Sequence, residues 1–110
     1  MAVKVYNKLV RDLIPDVIES SGKGCKTRIL KDDEYLDMLD AKLGEELAEY
    51  LEDKNLEELA DLLELVRACA VARGYTLDEL EAARADKASR RGGFDKKILL
   101  IEVSDTLADA

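Results

Sequence analysis

The sequence predicts a mainly α protein, an antiparallel helical bundle with room for a small β element formed by the chain ends. Three observations lead there. Apolar residues recur at helical spacing through the middle of the chain. Asn, Asp or Thr precedes each long run, twice with Glu three residues on, the pattern of a capped helix start. Runs suited to strands lie toward the ends. At 110 residues, one domain over residues 1–110 is expected.

Residues 3–6 suit a short strand or an extended arm. Leu9, Val10, Leu13, Ile14, Val17 and Ile18 follow a helical period over 9–19, with Pro15 in a first turn or forcing a break before it. Residues 20–24, rich in Ser and Gly, are loop. Residues 25–30 fit a short strand. Asp32 and Asp33 suit the N-cap of a long helix reaching about Glu52. A tight connection, Asp53-Lys54-Asn55, follows. Asn55 with Glu58 reads as a capping box opening a helix to Arg73, which Gly74 closes. Thr76 with Glu79 is a second box, opening a helix over about 77–90. Arg91-Gly92-Gly93-Phe94 breaks it. Residues 97–103 are β-branched and apolar enough to pair with 25–30 or 3–6, and the tail from Ser104 frays.

Composition narrows the chemistry. Lys plus Arg is 17 against 25 Asp plus Glu, a formal charge of −8, and histidine is absent. The lack of histidine excludes a Ser-His-Asp triad, a Cys-His pair, His-ligated zinc and a Glu-x-x-His di-iron site. The acidic balance argues against a nucleic-acid polymer or an anionic membrane as partner, but allows a small phosphorylated ligand once metal neutralises the site. Cys25 and Cys69 have neither metal-ligand spacing nor a disulfide framework. They read as reduced thiols of a cytoplasmic protein, with Cys69 in the core. No signal-peptide h-region and no membrane-spanning apolar run is evident.

The densest chemical signal is Glu45-Glu46-Leu47-Ala48-Glu49 followed by Glu58-Leu59-Ala60-Asp61. Ten acidic and two basic residues lie between Asp40 and Glu64. An acidic run is ordinarily a solvated face, but helix geometry weakens that here. Glu58 falls inside the stripe of Leu59, Leu62, Leu65, Val66, Cys69 and Ala70, and Asp61 at its edge. In the preceding helix Glu46 borders the stripe of Leu36, Leu39, Leu43, Leu47 and Tyr50. Glu49 lies further out and Glu45 well off it. A short turn packs the helices antiparallel, so Glu46 and Glu49 face Glu58 and Asp61. No His or Lys is expected on those faces, so the seam holds protons or a cation. Oxygen-only ligation selects Mg²⁺ or Mn²⁺, and Mg²⁺ commonly completes its shell with phosphate oxygens. Cations for a phosphate are Lys8 and Arg11, one helical turn apart, and the run Lys87, Arg90, Arg91, Lys96 and Lys97. Gly92-Gly93 serves a phosphate loop or a plain turn. Phe94, the sole Phe, suits the core better than stacking on a base.

The acidic pair resembles the EExxE…ExxD signature of the all-α nucleoside triphosphate pyrophosphohydrolases, the MazG and phosphoribosyl-ATP pyrophosphohydrolase superfamily. Residues 7–15, Asn-Lys-Leu-Val-Arg-Asp-Leu-Ile-Pro, and Arg90-Arg91-Gly92-Gly93-Phe94 resemble its small single-domain house-cleaning branch. The similarity runs from about residue 6 to 101. It implies Mg²⁺-dependent hydrolysis of the α–β phosphoanhydride of a nucleotide to monophosphate and pyrophosphate. It also implies Glu46, Glu49, Glu58 and Asp61 as metal ligands and Glu45 as a supporting or water-orienting group. Lys8, Arg11 and Arg91 would hold phosphates, and a homodimer or tetramer is implied. Eight residues separate Glu49 from Glu58, fewer than in many members, which bears on the size of the base pocket. With no histidine, a Glu of the cluster is the base, and the resemblance puts Glu45 and Glu46 forward as the catalytic candidates. Phosphoribosyl-ATP cleavage and a non-catalytic helical module that binds a nucleotide or protein are the alternatives.

Overall fold

A computed structural model describes residues 2–107. Among the described residues the α-helices are α1 at Ile14–Ser20, α2 at Asp32–Asp53, α3 at Leu56–Ala72 and α4 at Leu77–Arg91, and the regular structure is helical. It divides into two units, Met1–Leu80 and Glu81–Ala110.

The first unit is built on α2 and α3, which pack against one another. Glu34 accepts from the Lys31 amide at 3.2 Å and grips Arg28 through two 3.0 Å bonds, anchoring the start of α2. Lys31, not Asp32 or Asp33, occupies the N-cap, and Asp33 Oδ1 accepts from the Glu34 amide. Lys54 ends α2 in the left-handed region at φ 53°. Asn55 then starts α3, its side chain accepting from the Glu58 amide at 3.0 Å. Two residues thus fold α3 back along α2. Leu39 is buried between them, and Leu36, Leu43, Leu62, Leu65 and Cys69 are half-buried. The other stripe of α3 is uncovered: Leu56, Leu59, Leu63 and Val66, spaced three, four and three apart, are between 40% and 80% exposed.

Gly74, at φ 93°, follows α3 as the sequence predicts. The Thr76–Glu79 box forms in both directions, each bond 3.1 Å.

In the second unit, α4 carries Arg90 and Arg91 in its last turn, favourably placed against the helix dipole. Gly92 turns the chain at φ 82°.

Three expectations fail. Among the described residues there is no strand: residues 3–6, 25–30 and 97–103 are without regular structure. A strand exists only through ladder bonds to a neighbour, and β-prone composition does not supply one. The helical period from Leu9 does not hold before Ile14, where the first helix begins with Pro15 in its first turn, one of the two places the sequence allows it. Pro15 lacks the N–H that would bond to the Arg11 carbonyl, so a helix cannot run through it unbroken. Phe94 is not core but 97% exposed. The tail beyond Leu107 lies outside the described residues.

Candidate metal centre

The site is assembled where the last half of α2 meets the first turns of α3. Helical spacing places Glu45, Glu46 and Glu49 on one side of α2, and one oxygen from each lies within 4.8 Å of the others. Across the seam, single oxygens of Glu46, Glu58 and Asp61 meet within the same distance. Glu46 belongs to both groups and is 7% exposed, the one buried charged residue of the described chain. Glu46 thus joins two groups: one with Glu45, expected well off the seam, and Glu49, and one across the seam with Glu58 and Asp61; Glu49 does not meet Glu58 and Asp61 in a single group. Glu49 is the most exposed of them.

Only half of the Asn55–Glu58 box is formed. Asn55 caps the Glu58 amide, while the Glu58 carboxyl turns to the seam instead of back to Asn55. Its Oε2, and Oε2 of Glu46, are buried without a hydrogen-bond partner. A buried acceptor without a donor is costly. Burial, followed by the neighbouring Glu49, raises the Glu46 pKa above its ordinary value. Burial, then the charges of Asp53, Glu46 and Asp61, does the same for Glu58.

Cations ring the cluster. Lys42 Nζ lies 3.4 Å from Glu46 Oε1 and 3.6 Å from Glu45 Oε1, and its side chain is only 22% exposed. This corrects the expectation that no lysine reaches these faces. The signal was available, because Lys42 stands three and four residues before the two acids. Lys8 Nζ donates to Glu45 Oε1 at 3.0 Å, lowering the pKa of Glu45 and raising its own. Arg11 donates to Asp61 Oδ1 at 2.6 Å. Lys8 and Arg11 stand on non-helical chain rather than one helical turn apart, yet both reach the seam. Arg91 lies in the second unit. There, with Gly92, Gly93 and Lys96, it lines a recess of about 330 Å³.

The donor set fits a hard divalent ion. Every converging group that could ligate is a carboxylate, no His or Cys ligand is among them, and two buried oxygens have no donor. Both thiols are free, Cys25 exposed and Cys69 half-buried. No described helix is long and apolar enough to cross a membrane.

Comparison with known proteins adds one relative. A stretch of 42 residues is 57% identical to an uncharacterized protein of Mycolicibacterium smegmatis, covering 38% of this chain and 43% of that protein. The match thus spans less than half the relative's length. No family model matches the chain, and no solved structure matches it.

Proposed function

We propose that the chain is a nucleoside triphosphate pyrophosphohydrolase of the all-α MazG-like superfamily, an antiparallel helical bundle acting in the cytoplasm on nucleotides, noncanonical ones included. It splits the α–β phosphoanhydride, releasing monophosphate and pyrophosphate, and depends on Mg²⁺ with Mn²⁺ as substitute. The observation that carries this reading is the pair of partnerless buried oxygens, on Glu46 and Glu58, within an all-carboxylate cluster.

Glu46, Glu49, Glu58 and Asp61 hold the ion in this reading. When bound, it neutralises the cluster and offsets charge on the phosphate oxygens. Glu45, at the rim, supports and orients the attacking water. Because the chain has no histidine, a carboxylate of the cluster accepts the water's proton. Lys8 and Arg11 supply positive charge for the phosphates.

The working form is a homodimer. The uncovered stripe of Leu56, Leu59, Leu63 and Val66 has the spacing of a helix–helix seam. Leu39 is the only buried apolar residue among those described, too little for a stable monomer.

The test is pyrophosphate release from a panel of nucleoside triphosphates, with and without Mg²⁺. Release that needs the metal and is lost in Glu46→Gln is the expected result. Turnover indifferent to metal, or none with any nucleotide, overturns the reading.

A further inference from the structure

Residues 2–10 have no regular structure, and among the described residues no backbone–backbone hydrogen bond ties them to the rest of the chain. Leu9 alone of them is half-buried. Val10 is 45% exposed, and the side-chain pairing that reaches out from the arm is an ion pair. Lys8 Nζ meets Glu45 Oε1 at 3.0 Å, and just beyond the arm Arg11 meets Asp61 Oδ1 at 2.6 Å. The partners lie 37 and 50 residues away along the chain. The arm and Arg11 at its root, whose carbonyl accepts from the Ile14 amide at 3.1 Å, thus bring two cations to the seam that holds the orphaned Oε2 of Glu46, a side chain more than nine-tenths buried.

We infer that the N-terminal arm is a tethered counter-cation, which docks on the acidic seam through Lys8 and Arg11 and yields when a divalent ion neutralises those carboxylates. The inference rests on the metal-site reading above. Its basis is competition for one pool of negative charge. A guanidinium on Asp61 draws off density that a metal would use, and a metal at Glu46, Glu58 and Asp61 weakens the attraction for Arg11. Arg11 makes a single hydrogen bond to Asp61 rather than a bidentate fork, so its hold is the weaker form of this pairing. Released, Lys8 and Arg11 are free to meet an anionic ligand, so cation binding and exposure of the arm are two readings of one equilibrium.

The experiment is Mn²⁺ titration of the chelator-stripped protein by calorimetry, for wild type, Arg11→Ala and, as a control of equal charge change, Lys23→Ala. Arg11→Ala is expected to bind Mn²⁺ about two- to fivefold more tightly than wild type, the range of an exposed ion pair. Lys23→Ala stays near wild type. In the wild-type protein, trypsin is expected to cut after Lys8 and Arg11 faster when Mn²⁺ is present, with cleavage after Lys23 as internal reference. Unchanged or weaker Mn²⁺ binding in Arg11→Ala overturns the inference alone, because Arg11 then only orients Asp61. No Mn²⁺ binding by any of the three proteins overturns the metal reading and this inference with it.

Discussion

The Lys42 ammonium lies 3.4 Å from Glu46 Oε1, one turn along α2, while Oε2 of the same carboxyl has no partner. One oxygen is thus held by the protein's own cation, and the other is left for something else. Lys42 fixes the direction in which Glu46 offers its free oxygen. Removing it, as Lys42→Met, leaves a buried carboxylate less compensated. The expected loss in stability without added metal is about 1 kcal/mol, the upper end for ion pairs of this kind, measured by urea unfolding. An unchanged midpoint would show that Lys42 does not restrain Glu46.

Glu58 makes stability depend on pH. Its pKa is raised in the fold by burial first and then by Asp53, Glu46 and Asp61. As pH rises from about 4, the carboxyl ionises first in the unfolded chain. The resulting penalty is absent below that pH and grows until the folded group has also ionised. Glu58→Gln removes the penalty and keeps the Asn55 cap, which uses the backbone amide. In chelator, its Tm should exceed wild type by a few degrees at pH 7, with the gap closing toward pH 4. A variant Tm equal to or below wild type at pH 7 contradicts this.

Asp61→Asn and Glu46→Gln test the ligand set separately from the fold. Each should weaken Mn²⁺ binding and pyrophosphate release on the order of 100-fold, with the helical circular dichroism signal unchanged. Glu57→Gln, an acidic neighbour outside the cluster, should leave both within about twofold, as surface substitutions do.

The Asn55 cap holds the start of α3. Asn55→Ala removes the acceptor of the Glu58 amide, at a cost of about 1 kcal/mol. Because Glu58 sits in that first turn, fraying should also weaken Mn²⁺ binding. Destabilisation without any effect on the metal would separate the cap from the site.

The exposed stripe of α3 gives a test of assembly. Leu63→Lys places a charge amid Leu56, Leu59 and Val66. Sedimentation should show a dimer for wild type and a lighter species for the variant. A wild-type protein that is monomeric at all concentrations argues against the homodimer.

Local chemistry made much of this legible in the sequence. The limits of α3 and α4 follow from Asn55, Gly74, Thr76 and Glu79, whose preferences depend on their immediate neighbours. The meeting of Glu46, Glu58 and Asp61 follows from helical period and a short link. What depends on distant chain was not legible. The spacing of Lys8 and Arg11 offers cations for a phosphate but does not show that they pair with Glu45 and Asp61, far away in sequence. Phe94 was read by residue type, but burial is a property of what surrounds a side chain, and it is exposed. The strand-like runs failed for the same reason, since composition does not name a pairing partner.

The link between α2 and α3 has one further consequence. Lys54 and Asn55 join the helices with no slack, Lys54 taking a left-handed backbone to do so. A residue inserted into the helical turns that flank this link would offset the facing turns by about 1.5 Å and about 100° of rotation. An insertion there would carry Glu58 and Asp61 out of register with Glu46 together, as one block. The hairpin's length is therefore under the same constraint as the acids themselves, and loop-grafting at this corner should fail where it succeeds elsewhere.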